Sequence, residues 1–157
     1  MRTLRRRGEV SDAAPPGAAG RPVLLATLGV PFEPEAAELA VDAAVEAGQP
    51  LVIVNVVEIL PGPGAVILKY GDVDDDPADE AALRAPAELA HSLGVEVVRL
   101  RVRSPHPIDA LVEVAAERRP GLLVFGPDRT RLKPRVYRKA ERAVRERAGC
   151  LVWLAGG

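Results

Sequence analysis

The residues best placed to do chemistry in this 157-residue chain lie in one stretch, Gly126-Pro-Asp-Arg-Thr-Arg-Leu-Lys133. Arg129, Arg131 and Lys133 are cations at alternate positions, Thr130 offers a hydroxyl among them, and Gly126 opens the stretch without a side chain. A guanidinium grips phosphate through a fork of N–H groups, and a lysine adds a compact charge. The chemistry open to this set is anion capture; no nucleophile and base accompany it. Ser104, His106 and Asp109 would make a hydrolytic triad on paper. They crowd around Pro105 and Pro107, where Pro107 suits the first turn of a helix and Asp109 sits near its third position, so the plain reading is a helix start. A triad is defined by spatial roles that this spacing does not supply. Cys150 is the single cysteine, which excludes an intramolecular disulfide and a multi-cysteine zinc site and leaves a buried, inert thiol. His91 stands on a predicted helix beside Leu89 and Ala90 with no second metal ligand near it.

The anion-binding stretch needs a scaffold, and the apolar runs supply one. Val23–Leu28 and Leu51–Val57 are continuous rather than alternating, the pattern of strands buried on both faces. Val95–Val102 alternates with Glu96, Arg99, Arg101 and Arg103, which places it at an edge or with one wet face. Leu122–Phe125 and Cys150–Leu154 complete five strands. Helical stripes lie between them. Ala37, Ala40, Val41, Ala44 and Val45 follow Pro34 and end at Gly48. Ala82, Ala85, Leu89, Ala90 and Leu93 follow Asp76-Pro77, with Asp76 as the expected N-cap, and Pro86 should kink or divide that helix. Ile108, Leu111, Val112, Ala115 and Ala116 follow Pro107. Leu132, Val136, Ala140, Ala143 and Val144 line up in the last helix, with Arg135, Arg138, Arg142 and Arg145 facing out. Strands alternating with helices predict right-handed crossovers and an α/β fold, an open and mostly parallel sheet with helices on both faces. The Gly126 stretch then lies at the carboxyl end of the fourth strand, the edge where such sheets bind ligands.

Charge and composition narrow the partners. The net charge is −1, so no global field draws the chain to nucleic acid or to an acidic membrane. Residues 1–20 are Arg-rich and then Ala/Pro/Gly-rich, without apolar periodicity, and read as a disordered tail ahead of a domain over 21–157. An acidic cluster, Asp72, Asp74, Asp75, Asp76, Asp79 and Glu80, closes a long connection after the second strand, in which Ala65–Tyr70 is apolar enough to fold back over the sheet edge. No apolar run is long enough to span a bilayer, and a cytoplasmic protein is expected.

In this order the chain resembles the universal stress protein family over roughly Arg21 to Leu154. The stretch Pro120-Gly-Leu-Leu-Val-Phe-Gly126 resembles the family's strand leading to its glycine loop, Pro107-Ile-Asp-Ala-Leu111 the preceding helix start, and Cys150-Leu-Val-Trp-Leu154 its last strand. The resemblance implies a Rossmann-like sheet of order 3-2-1-4-5 and a homodimer formed through the fifth strand, by Leu151, Val152, Trp153 and Leu154. As an edge, that strand carries no charge to discourage pairing. Members that bind ATP carry an Asp at the end of the first strand and G-x2-G-x9-G-[ST]. Here Leu28 takes the Asp position, Gly126 matches the first glycine, Arg129 the second, and Lys139-Ala140 or Arg138-Lys139 the final pair. Losing the carboxylate costs on the order of 1–3 kcal/mol, and a side chain at the second glycine blocks close approach of backbone to phosphate. The expectation is a non-enzymatic stress-response or regulatory protein, acting as a dimer through a ligand or a protein partner, with no cofactor and no metal. The alternative is a member that binds ATP or another phosphate-bearing ligand through Gly126, Arg129, Thr130, Arg131 and Lys133, with slow ATP hydrolysis.

Overall fold

The structure, a computed structural model, describes residues 20–60 and 77–154. The predicted tail, the fold-back of Ala65–Tyr70 and the Asp76 cap lie outside the described residues. The elements run β1 Val23–Thr27, α1 Pro34–Ala47, β2 Leu51–Glu58, α2 Pro77–Ser92, β3 Val97–Ser104, α3 Pro107–Arg118, β4 Leu122–Phe125, a 3-10 turn Arg129–Arg131, α4 Pro134–Arg147 and β5 Leu151–Leu154. The five strands form one parallel sheet in the order β3-β2-β1-β4-β5. This is the expected α/β architecture.

Each central strand feeds two cores because successive side chains point to opposite faces. Leu24 and Ala26, Val52, Val54 and Val56, and Leu123 and Phe125 meet α3 and α4 through Leu111, Val114, Ala115, Tyr137, Ala140 and Val144. Val23 and Leu25, Leu51 and Ile53, and Val124 meet α1 and α2 through Ala36, Ala40, Val41, Ala44, Leu83, Ala87 and Ala90. The alanines on α1 let that helix close on the sheet. Strand β3, the edge that its alternation predicted, turns Leu100 inward, exposes Arg99 and leaves the rest of its side chains half-buried.

One of the two expectations at Pro86 falls away, and two buried stripes are corrected in part. Pro86 does not divide α2, which is continuous from Pro77 to Ser92; the missing backbone bond is offset by burying Pro86 alongside Leu83, Ala87 and Ala90. The buried stripe of α2 keeps Ala90 of the expected set but otherwise runs through Leu83, Pro86 and Ala87. Ala85, Leu89 and Leu93 are exposed. Two adjacent apolar stripes compete on this helix, and the one that contains Leu83 faces the sheet. On α4 the stripe includes Tyr137, which is buried, whereas Leu132, Val136 and Ala143 are only half-buried.

Candidate functional site

At the carboxyl edge the loop after β1 and the loop after β4 are stitched together. The Glu33 N–H donates to the Gly126 carbonyl (2.9 Å), the Asp128 N–H to the Pro31 carbonyl (2.8 Å), and Phe32 and Pro127 form an antiparallel bridge. Gly126 N–H donates in turn to the Ala26 carbonyl (3.0 Å). Gly126 is glycine for a packing reason. A Cβ there would overlap the Cβ of Ala36, which sits rigidly on the first turn of α1. The chain has no positive φ at this position, so the demand is for space.

The basic stretch folds into the short turn Arg129–Arg131. Asp128 caps it: its Oδ1 accepts from the Thr130 N–H (3.0 Å) and from the Thr130 hydroxyl (2.7 Å). These bonds hold the Asp128 carboxyl below the ordinary carboxylate range, with the Arg131 charge helping. The Arg131 N–H donates to the Asp128 carbonyl (3.0 Å). Thr130 therefore spends its hydroxyl proton inside the turn. Arg129 lays its guanidinium over the Tyr137 ring, 4.2 Å from the centroid. Tyr137 in turn stacks on Phe125, the last residue of β4, at 5.6 Å between centroids and 24° between planes. Burial raises the Tyr137 phenol pKa, and the Arg129 charge opposes that shift.

The structure thus brings Gly126, Arg129, Thr130, Arg131 and Lys133 into one loop, but not around an open cradle. The N–H groups of Asp128, Thr130 and Arg131 are all taken. The sequence positions that would supply a final Gly-Ser pair, Arg138 to Ala140, lie inside α4. Leu28, at the position of the expected carboxylate, is buried in the core on the α3/α4 side.

Sequence reasoning missed Asp128, Tyr137, Ala36 and Asn55. The Asp-x-Thr spacing was a signal for the capped turn. Asn55 is the lone polar residue in the apolar run Leu51–Val57 and is fully buried. Its Oδ1 accepts from the Gly29 N–H (2.8 Å), which fixes the turn after β1, where Gly29 has φ 75°. Its Nδ2 is buried and has no hydrogen-bond partner among the described residues.

The remaining expected features resolve plainly. Ser104 Oγ accepts from the His106 N–H, and Asp109 Oδ1 accepts from Arg147 (3.1 Å), so these residues serve the start of α3 and its tie to α4. Cys150 lies just before β5 and is half-buried, not buried, and desolvation raises its thiol pKa. No group of three metal-ligating side chains occurs among the described residues. No helix among them is long and apolar enough to cross a membrane. On β5, Val152 and Leu154 pack toward α3 and α4, Trp153 toward α1, and Leu151 is 69% exposed.

Comparison with known proteins adds the lineage. The sequence pattern of the universal stress protein family matches residues 20–155. A universal stress protein family structure from Burkholderia pseudomallei is 25% identical, with a TM-score of 0.62, covering 90% of this chain and all of that one. A universal stress protein in complex with cAMP is 24% identical (TM-score 0.57; 88% and 98% covered). One from Archaeoglobus fulgidus in complex with dAMP is 22% identical (TM-score 0.60; 85% and 96% covered). Among curated proteins, none matches significantly.

Proposed function

The chain belongs to the universal stress protein family, and we propose that within it this protein is a non-enzymatic stress-response or regulatory dimer that works through ligand or partner binding, not as a standard ATP binder. The observation that carries this reading is the loop after β4. The N–H groups of Asp128, Thr130 and Arg131 are taken by the Asp128 turn and by the loop after β1. Its second glycine position is an arginine stacked on Tyr137. A triphosphate would have to displace both before meeting the N–H groups of Asp128, Thr130 and Arg131.

The dimer reading rests on β5. It pairs with β4 on one side, and no second strand covers its other edge among the described residues. The tetrapeptide carries no charge to repel a second copy. Trp153 is spent mainly on the core, so Leu151 is the side chain to change. Burying one leucine contributes about 1.5–3 kcal/mol, and Leu151→Lys should weaken dimerisation roughly tenfold or more. Light scattering at micromolar concentration should give twice the chain mass for the parent and a monomer for the variant, with circular dichroism unchanged. A monomeric parent would remove the dimer.

A second reading is supported by Asn55 Nδ2, a buried donor with no partner among the described residues beside the turn after β1, and by exposed Arg131 and Lys133 at the same edge. It makes the protein a nucleotide or phosphate-ligand binder with a rebuilt basic loop and slow ATP hydrolysis. The relatives in complex with cAMP and dAMP lend it weight. A thermal-shift series with ATP, AMP, cAMP and inorganic phosphate separates the two readings. A ligand at a hundred times its Kd should add about 2.7 kcal/mol, and no shift with any of them leaves the first reading standing.

A further inference from the structure

The whole-chain charge of −1 conceals a segregation that the fold makes plain. Helix α4 carries Arg135, Arg138, Lys139, Arg142, Arg145 and Arg147 against Glu141 and Glu146 only. Its apolar stripe, Tyr137, Ala140 and Val144, is buried, so the cations line its outer face. Arg135, Arg138, Lys139 and Arg142 are exposed and form no ion pair among the described residues. Arg145 is held against Glu141 (3.0 Å) and Arg147 against Asp109 (3.1 Å). Arg138, Arg142 and Arg145, with Glu141 and Glu146, line a shallow groove of about 320 Å³ along the helix. Arg135, Arg138, Arg142 and Arg145 recur at alternating three- and four-residue steps, which makes a straight row about 15 Å long at 1.5 Å per residue.

We propose that this face of α4 is an electrostatic docking surface for a nucleic-acid duplex, read through its phosphodiester backbone and not its base sequence. Counterions released from a phosphate chain drive such binding, and it needs cations in a row with no apolar contact. The other polyanion surfaces fit less well. An interfacial membrane helix buries an apolar face among lipids, and the apolar face of α4 is already spent on the sheet. An interface with an acidic protein is built round buried aromatic or aliphatic anchors. The exposed side chains of α4 are all charged except Pro134 at its start. Ions separated by more than about 8 Å at physiological salt are largely screened. The negative remainder of the chain therefore orients the encounter without cancelling it.

The test is fluorescence anisotropy of a labelled 20-base-pair DNA duplex of arbitrary sequence with the full chain. Four unpaired cations predict a slope of log affinity against log salt near −3.6, and so roughly a hundredfold loss of affinity between 50 and 200 mM salt. Arg135→Gln/Arg138→Gln/Arg142→Gln should abolish binding at 50 mM. A second variant, Arg5→Gln/Arg6→Gln/Arg7→Gln, should retain it. Both triple variants are compared at a melting temperature that the substitutions leave in place. The proposal is overturned by no binding at 50 mM salt, by binding that survives the α4 variant, by binding lost in the 5–7 variant alone, or by a poly-aspartate peptide of equal charge that binds more tightly than the duplex.

Discussion

Tyr137→Ala should lower the stability of the domain by about 3–4 kcal/mol, within the range for removing a buried aromatic. Tyr137 is buried between Phe125 beneath it and Arg129 above. The substitution opens a cavity next to Phe125, ends the ring stack, and leaves Arg129 without its platform. The three layers should separate by size. Arg129→Ala removes an exposed cation–π contact, worth about 0.5–1 kcal/mol. Tyr137→Phe keeps the stack and should cost less than about 1.5 kcal/mol. Urea denaturation reads this order directly, as a fall in the midpoint at constant slope. An Arg129→Ala loss as large as that of Tyr137→Ala would mean that the guanidinium is part of the core and not a cover laid over it.

Gly126→Ala should cost about 1–3 kcal/mol, the range for an overpacked core. One methyl group is added, and the atom that it meets is the Cβ of Ala36, which cannot swing away. Either α1 moves off the sheet or the loop after β4 moves out, and the second breaks the Glu33 to Gly126 bond. Ala36→Gly makes room, at up to about 1 kcal/mol for glycine in a helix. The double variant should therefore be more stable than the sum of the two single changes predicts, because the neighbours are coupled. Additive losses would show that the two positions do not meet. A glycine retained from a phosphate loop would behave differently: its replacement would change ligand affinity and leave stability almost untouched.

The fold was open to reading because its signals were local and repeated. Continuous runs such as Leu51–Val57 have no solvent face, and prolines at 34, 77, 107 and 134 each stand at a helix start. The site was less legible. Arg129 could be recognised as a misfit at a glycine position, but nothing in a linear pattern tells a cation reaching for phosphate from one resting on a ring ten residues from Pro127. That partner, Tyr137, occupies the helical stripe of Ala140 and Val144, and it was passed over because its neighbour Val136 is apolar as well. Thr130 read as a free hydroxyl, since the competing acceptor was Asp128, two residues away, and local side-chain to backbone bonds often win such contests. Asn55 was hidden by the apolar strand around it. The buried face of α2 was misassigned because alanines give two stripes nearly equal weight.

The measurement that bears most directly on the central claim is a calorimetric titration of the full chain with ATP and magnesium. The closed loop predicts no saturable heat in the micromolar range, since the lost carboxylate and glycine together weaken binding by about a hundredfold or more. A saturable one-to-one titration at micromolar ATP, lost in Arg129→Ala and Arg131→Ala, would contradict it and make the basic loop a rebuilt nucleotide site.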